Sequence, residues 1–211
     1  MKLFHGVPII AYPIRAALES GCFAEVMVST EDDEIAQIAR AHGAMVPFMR
    51  SEVASSDHAS TEDVLQEVID GYRRIGREFD HVCCLYPTAA LVRPAHLVEG
   101  HAKLVEDPTL GGVLPVIPFG YPVQRAVVLR EGRAVMMHPQ YYDSRSQDLE
   151  PAFHDAGQWY WSRREAFEAT RELIGPNCAA VVLSEMEAQD IDNQDDWRLA
   201  ELKFELRRRH V

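Results

Sequence analysis

The stretch HVCCLYPTAALVRPAHLVEG, residues 81–100, decides the fold of this chain. Its first six residues form a short apolar run that is typical of a strand buried on both faces of a sheet. Apolar residues at helical spacing follow over residues 95–105, and GGVLPVI at residues 111–117 is a second buried strand. Because a strand, a helix and another strand in this order form one βαβ unit, the stretch predicts an α/β protein.

The same alternation extends towards the N-terminus. EVMVST at residues 25–30 is typical of a strand and ends at Thr30, a suitable N-cap for the helix that follows. AMVPFM at residues 44–49 is another strand-like run, and Ser60 or Thr61 caps the next helix. We therefore predict a mostly parallel sheet with helices on both faces.

Residues 121–160 depart from this alternation. The sequence VQRAVVLREGRAVMM predicts two antiparallel strands joined by a turn at Glu131 and Gly132. The polar, tyrosine-rich HPQYYDSRSQDLEPAFHD comes next, and a long irregular segment in a compact domain is usually a binding loop or an interface. We call residues 121–160 the excursion and expect it to contact a ligand or a second subunit.

The C-terminal part of the chain returns to regular structure. QWYW and AAVVLS are predicted strands, and a helix is expected over residues 163–170 between them. The final segment, DWRLAELKFELRRR, predicts an amphipathic helix with Leu199, Leu202 and Leu206 on its apolar side.

Composition and charge restrict the class of protein. The chain has 211 residues, 47% of them hydrophobic, which suits a single domain over residues 1–211. No apolar run of about 18 residues predicts a membrane span, and the start lacks the pattern of a signal peptide. Because the net charge is −12 and the acids are spread along the chain, a nucleic acid is an unsuitable partner. The four cysteines form no C-x-x-C pair, so we expect reduced core thiols in a cytoplasmic protein.

The segment QDIDNQDDW carries the most distinctive pair of carboxylates. In an extended conformation, Asp190 and Asp192 lie on one face while Ile191 points into the core. Two carboxylates at this spacing can hold one hard divalent cation, typically Mg²⁺, together with phosphate oxygens. An acidic turn that caps the last helix is the alternative, and Asp195 and Asp196 can provide such a cap alone.

Two further motifs place polar residues at a helix start and at a strand end. RSEVASSDHASTEDV contains Arg50, Asp57 and Ser60 ahead of a helix, where unpaired amides can bind anions or a nucleotide. An ordinary capped loop is the alternative interpretation of these residues. LYPTAALVRP follows a buried strand, and ligands of open α/β sheets bind beyond the carboxyl ends of strands, so Tyr86 and Thr88 are favourably placed.

The segment HDAGQWYW combines a glycine with aromatic residues. Gly157 beside Gln158 indicates close approach of the backbone to a ligand, with an amide available for hydrogen bonding. Alternatively, Trp159 and Trp161 are core residues of one strand face, and Gln158 and Tyr160 form its solvent-facing side. We predict core positions for the tryptophans and leave both alternatives open for the other pair.

The order of these motifs along the chain resembles that of the CMP-sugar synthetases. The resemblance rests on KLFHGVPIIAYPIRAALESG, SSDHAST, LYPTAALVRP and DIDNQDDW, and it covers essentially the whole chain. Within that family the chain is most similar to pseudaminic acid cytidylyltransferases. Tyr86 stands where most sialic acid synthetases have glutamine, and DAGQWYW is similar to the string DAGQFYW. A sialic acid or ketodeoxyoctonate cytidylyltransferase is the enzymatic alternative.

The resemblance implies a Rossmann-like nucleotidyltransferase fold, a reaction and a set of site residues. CMP passes from CTP to the anomeric hydroxyl of an acidic nine-carbon sugar, and pyrophosphate leaves. Asp190 and Asp192 are implied to be catalytic and to bind Mg²⁺. The implied nucleotide pocket contains Lys2, Arg50, Asp57, Ser60, Tyr86 and Thr88, and the implied sugar contacts are Asp155, Gln158 and Tyr160. Family members are usually homodimers, so the excursion is the expected contact between subunits.

The N-terminus departs from the family pattern. A helix is predicted almost directly after His5 and Gly6, whereas relatives begin with a central strand and a Gly/Arg/Lys-rich loop that holds the CTP triphosphate. The resemblance implies that the chain starts at the end of this loop, with Lys2 as its closing lysine. A sheet without that strand is expected to leave unpaired amides and an open groove.

Two explanations of this start are open. A start codon placed too late, or a trimmed chain, is one, and a degenerate nucleotide-binding or regulatory domain is the other. We expect the polypeptide of residues 1–211 to bind CTP weakly and to turn over little or nothing. The DNA directly upstream of Met1 distinguishes the two explanations.

Overall fold

The computed structural model describes residues 1–209, and residues 210 and 211 lie outside that range. The helices are α1 (Ala11–Ser20), α2 (Asp33–Ala41), α3 (Thr61–Arg74), α4 (Pro94–Glu106), α5 (Arg164–Thr170) and α6 (Gln194–Arg209). The strands are β1 (Leu3–Phe4), β2 (Val7–Pro8), β3 (His81–Leu85), β4 (Gly112–Pro118), β5 (Val127–Arg130), β6 (Arg133–Met136), β7 (Phe153–Asp155), β8 (Trp159–Arg163) and β9 (Cys178–Val182).

Five of these strands form the central sheet, with β4 in the middle. Strand β9 pairs in parallel with β4 along residues 112–116. Strands β8 and β7 pair antiparallel with the first and last residues of β4, so they share its opposite edge. Strand β3 pairs antiparallel with β8 and ends the sheet on that side.

The α/β class is confirmed, but the sheet is mixed instead of mostly parallel. Strands β3, β4 and β9 run in one direction, as the βαβ pattern predicts, while β8 lies between β3 and β4 in the opposite direction. An apolar run such as QWYW indicates a buried strand but carries no information on its direction. The prediction was wrong on this point for that reason.

Helices cover both faces of the sheet, as predicted. On one face, α1 and α4 pack against a core that includes Ala17, Leu97, Leu104, Val113, Trp159 and Trp161. On the other face, Leu65 and Ile69 of α3 and Phe167 of α5 pack against the sheet residues Leu114 and Tyr160. The predicted core position of the two tryptophans is therefore confirmed.

The N-terminal half contains one confirmed and one corrected helix cap. Ser60 caps α3, where its Oγ accepts a hydrogen bond from the Asp63 amide at 3.1 Å and the Asp63 carboxylate accepts one from the Ser60 amide. Helix α2, by contrast, is capped by Asp32 instead of Thr30. The Thr30 hydroxyl accepts a hydrogen bond from the Asp32 amide, which places the helix start two residues later than predicted.

The last helix presents a different face to the core than its leucines predict. Leu199, Leu202 and Leu206 are 44%, 56% and 44% exposed, whereas Trp197 and Ala200 are buried against Phe4. The predicted apolar face was wrong, because Phe4 of the β1–β2 hairpin packs against the face of α6 that carries Trp197 and Ala200. Edge-on contacts join the rings of Phe4 and Trp197 at 5.5 Å between centroids.

The excursion contains the predicted hairpin. Strands β5 and β6 pair antiparallel, and Glu131 and Gly132 take the positive φ angles of 50° and 76° that such a tight turn requires. Short 3₁₀ turns follow the hairpin. Strand β7 and the first two residues of β8 also fall within the excursion but belong to the central sheet, so the irregular part ends before residue 153. Among the helices of residues 1–209, none is apolar over enough of its length to cross a membrane.

Candidate active site

A groove of about 1350 Å³ opens between β3 and the extended residues 25–29. Six of the predicted site residues line the groove at the end that lies beside the carboxyl terminus of β3. They are Lys2, Arg50, Ser60, Tyr86, Thr88 and Asp192. Asp57 lies in an exposed loop that does not line the groove, and Asp155, Gln158, Tyr160 and Asp190 lie behind its wall. The predicted residues thus fall into two neighbouring sets.

The cationic side chains of the groove are anchored to its walls. The Arg50 guanidinium donates a 3.0 Å hydrogen bond from Nε to Ser29 Oγ and also contacts the Ser29 carbonyl and Glu31. Lys2 donates from Nζ to Gln194 Oε1 at 3.2 Å and lies 3.8 Å above the Trp197 ring. Two positive charges therefore stand at the rim where a phosphate group could enter.

We call residues 189–193 the acidic turn, and helix α6 holds it in place. Asn193 caps α6 by accepting hydrogen bonds from the amides of Asp195 and Asp196. The Asp196 carboxylate accepts hydrogen bonds from the amides of Asp192 and Asn193 at 3.1 and 3.0 Å. Asp196 therefore serves the capping role that the alternative interpretation requires, and the Asp190 and Asp192 carboxylates are not needed for it.

The Asp190 carboxyl group lies in an electrostatically unfavourable position. Burial, followed by the charges of Asp192, Asp155 and Asp196, raises its pKa above the usual value. Neither Asp190 nor Asp192 forms an ion pair with a basic side chain of residues 1–208. A bound divalent cation would relieve this repulsion, so the donor set fits Mg²⁺.

The number of protein ligands available to a cation at Asp190 and Asp192 is small. No group of three or more His, Cys, Asp or Glu side chains within the described range could hold a metal ion. A cation at this place would have two carboxylate ligands at most, with water or phosphate oxygens completing the shell. This is the pattern that Mg²⁺ usually adopts beside nucleotides.

Gly157 lies in the connection between β7 and β8, directly beside the acidic turn. It has a φ of +61°, and a Cβ atom there would lie 3.0 Å from Asp190 Cγ. Its amide donates a 3.0 Å hydrogen bond to Asp155 Oδ1. A glycine is therefore required both by the backbone conformation and by the close approach of Asp190.

A hydrogen bond and a ring contact join Asp155 to the wall of the groove. Tyr160, which is 3% exposed, donates from its hydroxyl to Asp155 Oδ2 at 2.5 Å. Burial and this carboxylate raise the pKa of Tyr160, so it remains a neutral donor. The ring of Tyr86 lies 5.3 Å from that of Tyr160, which places the groove wall in contact with the acidic region.

Gln158 is buried instead of solvent-facing. Its exposed fraction is 1%, and its Nε2 donates a 2.8 Å hydrogen bond to the Glu187 carbonyl. Its Oε1 is buried and has no hydrogen-bond partner among the described residues. The interpretation of Gln158 and Tyr160 as the solvent side of a strand was wrong, because helices cover both faces of β8.

Sequence reasoning missed the residues that position the acidic turn. Lys203 of α6 donates from Nζ to the Ala188 carbonyl at 2.8 Å and to Gln189 Oε1 at 2.9 Å. The cap formed by Asn193 and Asp196 follows the N-x-x-D spacing of a capping box and could have been found in the sequence. Nothing in the sequence links Lys203 to a turn more than ten residues away.

Comparison with known proteins identifies relatives of this chain. A family model described as Cytidylyltransferase matches residues 1–173. A pseudaminic acid cytidylyltransferase of Campylobacter jejuni is 36% identical over 204 residues, which are 96% of this chain and 88% of that protein. A CMP-N,N'-diacetyllegionaminic acid synthase of Legionella pneumophila is 30% identical over 97% of this chain and 88% of its own length.

The fold is also found among solved structures. A CMP:2-keto-3-deoxy-manno-octonic acid synthetase complexed with CTP superposes with a TM-score of 0.70, covering 99% of this chain and 91% of that chain at 18% identity. A 4-diphosphocytidyl-2C-methyl-D-erythritol synthase of Anaerococcus prevotii has a TM-score of 0.62 at 9% identity. The Rossmann-like nucleotidyltransferase fold is confirmed, and by its family match and its relatives this chain belongs to the cytidylyltransferase family.

Proposed function

We propose that this chain is a CMP-sugar synthetase that transfers CMP from CTP to a nonulosonic acid, pseudaminic acid first among them. The observation that carries the proposal is the carboxylate pair Asp190 and Asp192, in which the charge of Asp192 helps to raise the pKa of Asp190 and which has no ion-pair partner among the side chains of residues 1–208. Asp192 lines the groove, and Asp190 lies behind its wall. The names of the relatives that are 36% and 30% identical support a nonulosonic acid as the acceptor.

We assign one set of residues to CTP and the other to the sugar. Lys2 and Arg50 bind the anionic phosphates, and Tyr86 and Thr88 lie between the nucleotide and the sugar. Asp57 and Ser60 belong to the nucleotide side, and Ser60 acts there through the helix start that it caps. The sugar side consists of Asp155, Gln158 and Tyr160. Gln158 and Tyr160 are buried and form the wall behind Asp155.

At the α-phosphorus the reaction forms one bond and breaks one, and the proton of the attacking hydroxyl passes to solvent water. The anomeric oxygen of the sugar attacks the α-phosphorus of CTP, and the bond from that phosphorus to the pyrophosphate oxygen breaks. Asp190 and Asp192 would hold Mg²⁺, which when bound would supply neutralisation of charge on the phosphate oxygens and a lower pKa of the attacking hydroxyl. The protein itself contributes orientation, which can supply about 7–11 kcal/mol in a well-aligned site.

The experiment measures CTP binding and product formation together. CTP is titrated into the protein with and without Mg²⁺, for the natural chain and for Asp192→Asn, and CMP-sugar is detected after long incubation with a panel of acidic sugars. We expect weak, Mg²⁺-dependent CTP binding that the variant loses, and slow product formation in the order pseudaminic acid, sialic acid, ketodeoxyoctonate. Mg²⁺-dependent binding without any product would favour the binding-domain alternative, and CTP binding that ignores Mg²⁺ and Asp192 would overturn the proposal.

The proposal includes a homodimer that uses the excursion. Large apolar side chains are exposed there, namely Tyr121, Val127, Leu129, Met137, Tyr142 and Phe153. Such a concentration is typical of a surface that another protein covers. Light scattering coupled to size exclusion should give twice the mass of 23.8 kDa, and Leu129→Lys should return the monomer. A cytoplasmic location is part of the same proposal, supported by four free cysteines.

A further inference from the structure

One wall of the groove is a loop that has almost no hydrophobic packing. We call residues 51–59 the wall loop, and it joins Arg50 to Ser60. Four of its residues line the groove, and they are Ala54, Ser55, Ser56 and Ala59. A second cavity of about 680 Å³ opens on the other side of the same loop. Ala54 is the one buried residue of the wall loop, so burial of apolar surface does little to fix its shape.

Hydrogen bonds to Ser51 give the wall loop its shape. The Ser51 hydroxyl accepts a hydrogen bond from the Ala54 amide at 3.2 Å. The Ser51 carbonyl accepts two more, from the amide of Ser55 at 3.0 Å and from its hydroxyl at 2.8 Å. Two residues that line the groove are thus held by one serine, so the position of Ser51 sets the position of this part of the wall.

Glu67 of α3 holds Ser51 in turn. Both oxygens of its carboxylate accept hydrogen bonds from Ser51, Oε1 from the backbone amide at 2.9 Å and Oε2 from the hydroxyl. Burial raises the pKa of Glu67, but these two bonds and the charges of Arg74 and Arg50 outweigh it and lower the pKa below its usual value. The carboxylate is therefore ionised at neutral pH, and hydrogen bonds to an ionised acceptor are roughly twice as strong as neutral ones.

The two ends of the wall loop are fixed without Glu67. At its start, the Arg50 amide donates to the Thr30 carbonyl at 2.9 Å, and the Arg50 side chain donates to Ser29. At its end, Ser60 caps α3. Loss of the Glu67 carboxylate would therefore leave both ends in place and release the middle of the loop, which is the part that lines the groove.

We propose that Glu67 is a positioning residue for CTP binding, since it fixes the wall loop through Ser51. It acts through Ser51 alone and touches no substrate group. A loop that is already ordered loses little conformational entropy when the nucleotide binds, whereas a released loop has to be ordered at that moment, which weakens the affinity. This inference rests on the proposed function, because the ligand for which the loop is positioned is the cytosine nucleotide.

The experiment compares three variants of α3 with the natural chain. Glu67→Ala removes both acceptor oxygens, and Glu67→Gln keeps one of them without the charge. Asp70→Ala is the matched control, because it removes the same charge from the next turn of α3, where Asp70 pairs with Arg73.

The first measurement tests the hold on the loop in the absence of any ligand. Residue-resolved hydrogen exchange in Glu67→Ala should become at least about tenfold faster at the loop amides that these bonds protect. They are the amides of Ser51, Ala54 and Ser55. Glu67→Gln should show a smaller increase, and Asp70→Ala should show none.

The second measurement is the affinity for CTP with Mg²⁺, obtained from an NMR titration. The dissociation constant should rise about tenfold in Glu67→Ala and less in Glu67→Gln, and it should stay unchanged in Asp70→Ala. Adding Ser51→Ala to Glu67→Ala should weaken binding little further, because the two side chains act as one unit. The Mn²⁺ affinity without nucleotide should be the same in all variants, which separates positioning from a general loss of structure.

The possible failures are distinguishable. Unchanged exchange in Glu67→Ala, or faster exchange with unchanged CTP affinity, would overturn the positioning role and leave the proposed function intact. Equal losses of CTP affinity in Asp70→Ala would also overturn it, since negative charge on α3 would then determine the affinity. If the natural chain itself binds no CTP, the proposed function fails and the positioning role fails with it.

Discussion

The two sides of the central sheet differ in how completely they are built. Strand β4 has hydrogen-bonded neighbours on both edges and is buried along most of its length, whereas β3 has one neighbour and is only half-buried. We call the part around β4, β9 and α4 the closed side, and the part around β3, residues 25–29 and the acidic turn the open side. The difference indicates that stability is concentrated on the closed side and ligand binding on the open side.

The largest expected effect tests whether stability is concentrated on the closed side. Leu104 of α4 is fully buried against the sheet, and Leu104→Ala should lower the free energy of unfolding by about 2–5 kcal/mol, since it leaves a cavity. Val68 of α3 lines the open groove, so Val68→Ala should cost less than about 1 kcal/mol. Urea denaturation of the two variants measures this, and equal losses would remove the distinction between the sides.

The next effect separates ligand binding from stability on the open side. Asp196→Ala removes the acceptor that fixes the amides of Asp192 and Asn193, so Mn²⁺ affinity measured by electron paramagnetic resonance should fall about 10–100-fold. Asp195→Ala is the matched control, because the Asp195 carboxylate forms an exposed ion pair with Arg198 and the backbone amide that bonds to Asn193 is kept. A comparable loss of affinity in the control would mean that the total negative charge near the site, and not the geometry of the acidic turn, determines the Mn²⁺ affinity.

A smaller effect tests the contact between Gly157 and Asp190. Gly157→Ala and Gly132→Ala both place a side chain at positive φ and should each cost about 1–2 kcal/mol of stability. Only the first brings a Cβ atom against Asp190, since nothing lies within 4 Å of such an atom at Gly132. Mn²⁺ affinity should therefore weaken in Gly157→Ala alone, and an equal change in Gly132→Ala would show that the contact has no influence on the site.

The smallest effect concerns the histidine pair that joins the two sides. His81 on β3 lies 3.2 Å from His101 on α4, and Arg163 lies next to His81. Burial, and then the charges of His101 and Arg163, lowers the pKa of His81 below 6.5, and burial lowers the pKa of His101. Because the unfolded chain then binds more protons than the folded one, stability should decrease as the pH falls below about 6.5.

The measurement is thermal melting between pH 8 and pH 5, compared with His101→Gln. The variant removes one of the two titrating rings, so its melting temperature should depend less on pH over this interval. An identical pH dependence in the two proteins would exclude the pair as its source.

The sequence determined the local features well, and its failures have physical causes. The strand at β3, the helix cap at Ser60 and the hairpin turn at Glu131 depend on neighbouring residues alone, and the structure contains all three. The predicted burial of β3 on both faces was wrong, because β3 has a neighbouring strand on one edge only and is half-buried. The direction of β8 and the buried face of α6 depend on partners far along the chain, which periodicity cannot indicate.

The candidate site shows the same division. The sequence motifs predicted Tyr86, Thr88 and Asp192 as site residues, and all three line one groove. They lie together because the carboxyl ends of the parallel strands in this fold lie on one edge of the sheet. The positioning contacts of Asp196 and Lys203 were missed, since they arise only when α6 packs beside the acidic turn. The burial of Gln158 was left open by the sequence for a related reason, because a strand that crosses the middle of a sheet has no solvent-facing side.

The most direct test of the account is a crystal structure of this chain grown with CTP and Mn²⁺, whose anomalous scattering locates the metal. We expect one anomalous peak in contact with the carboxylates of Asp190 and Asp192, with the cytosine nucleotide in the groove beside Tyr86 and Thr88. A metal peak away from both carboxylates, or a nucleotide bound outside the groove, would contradict the account.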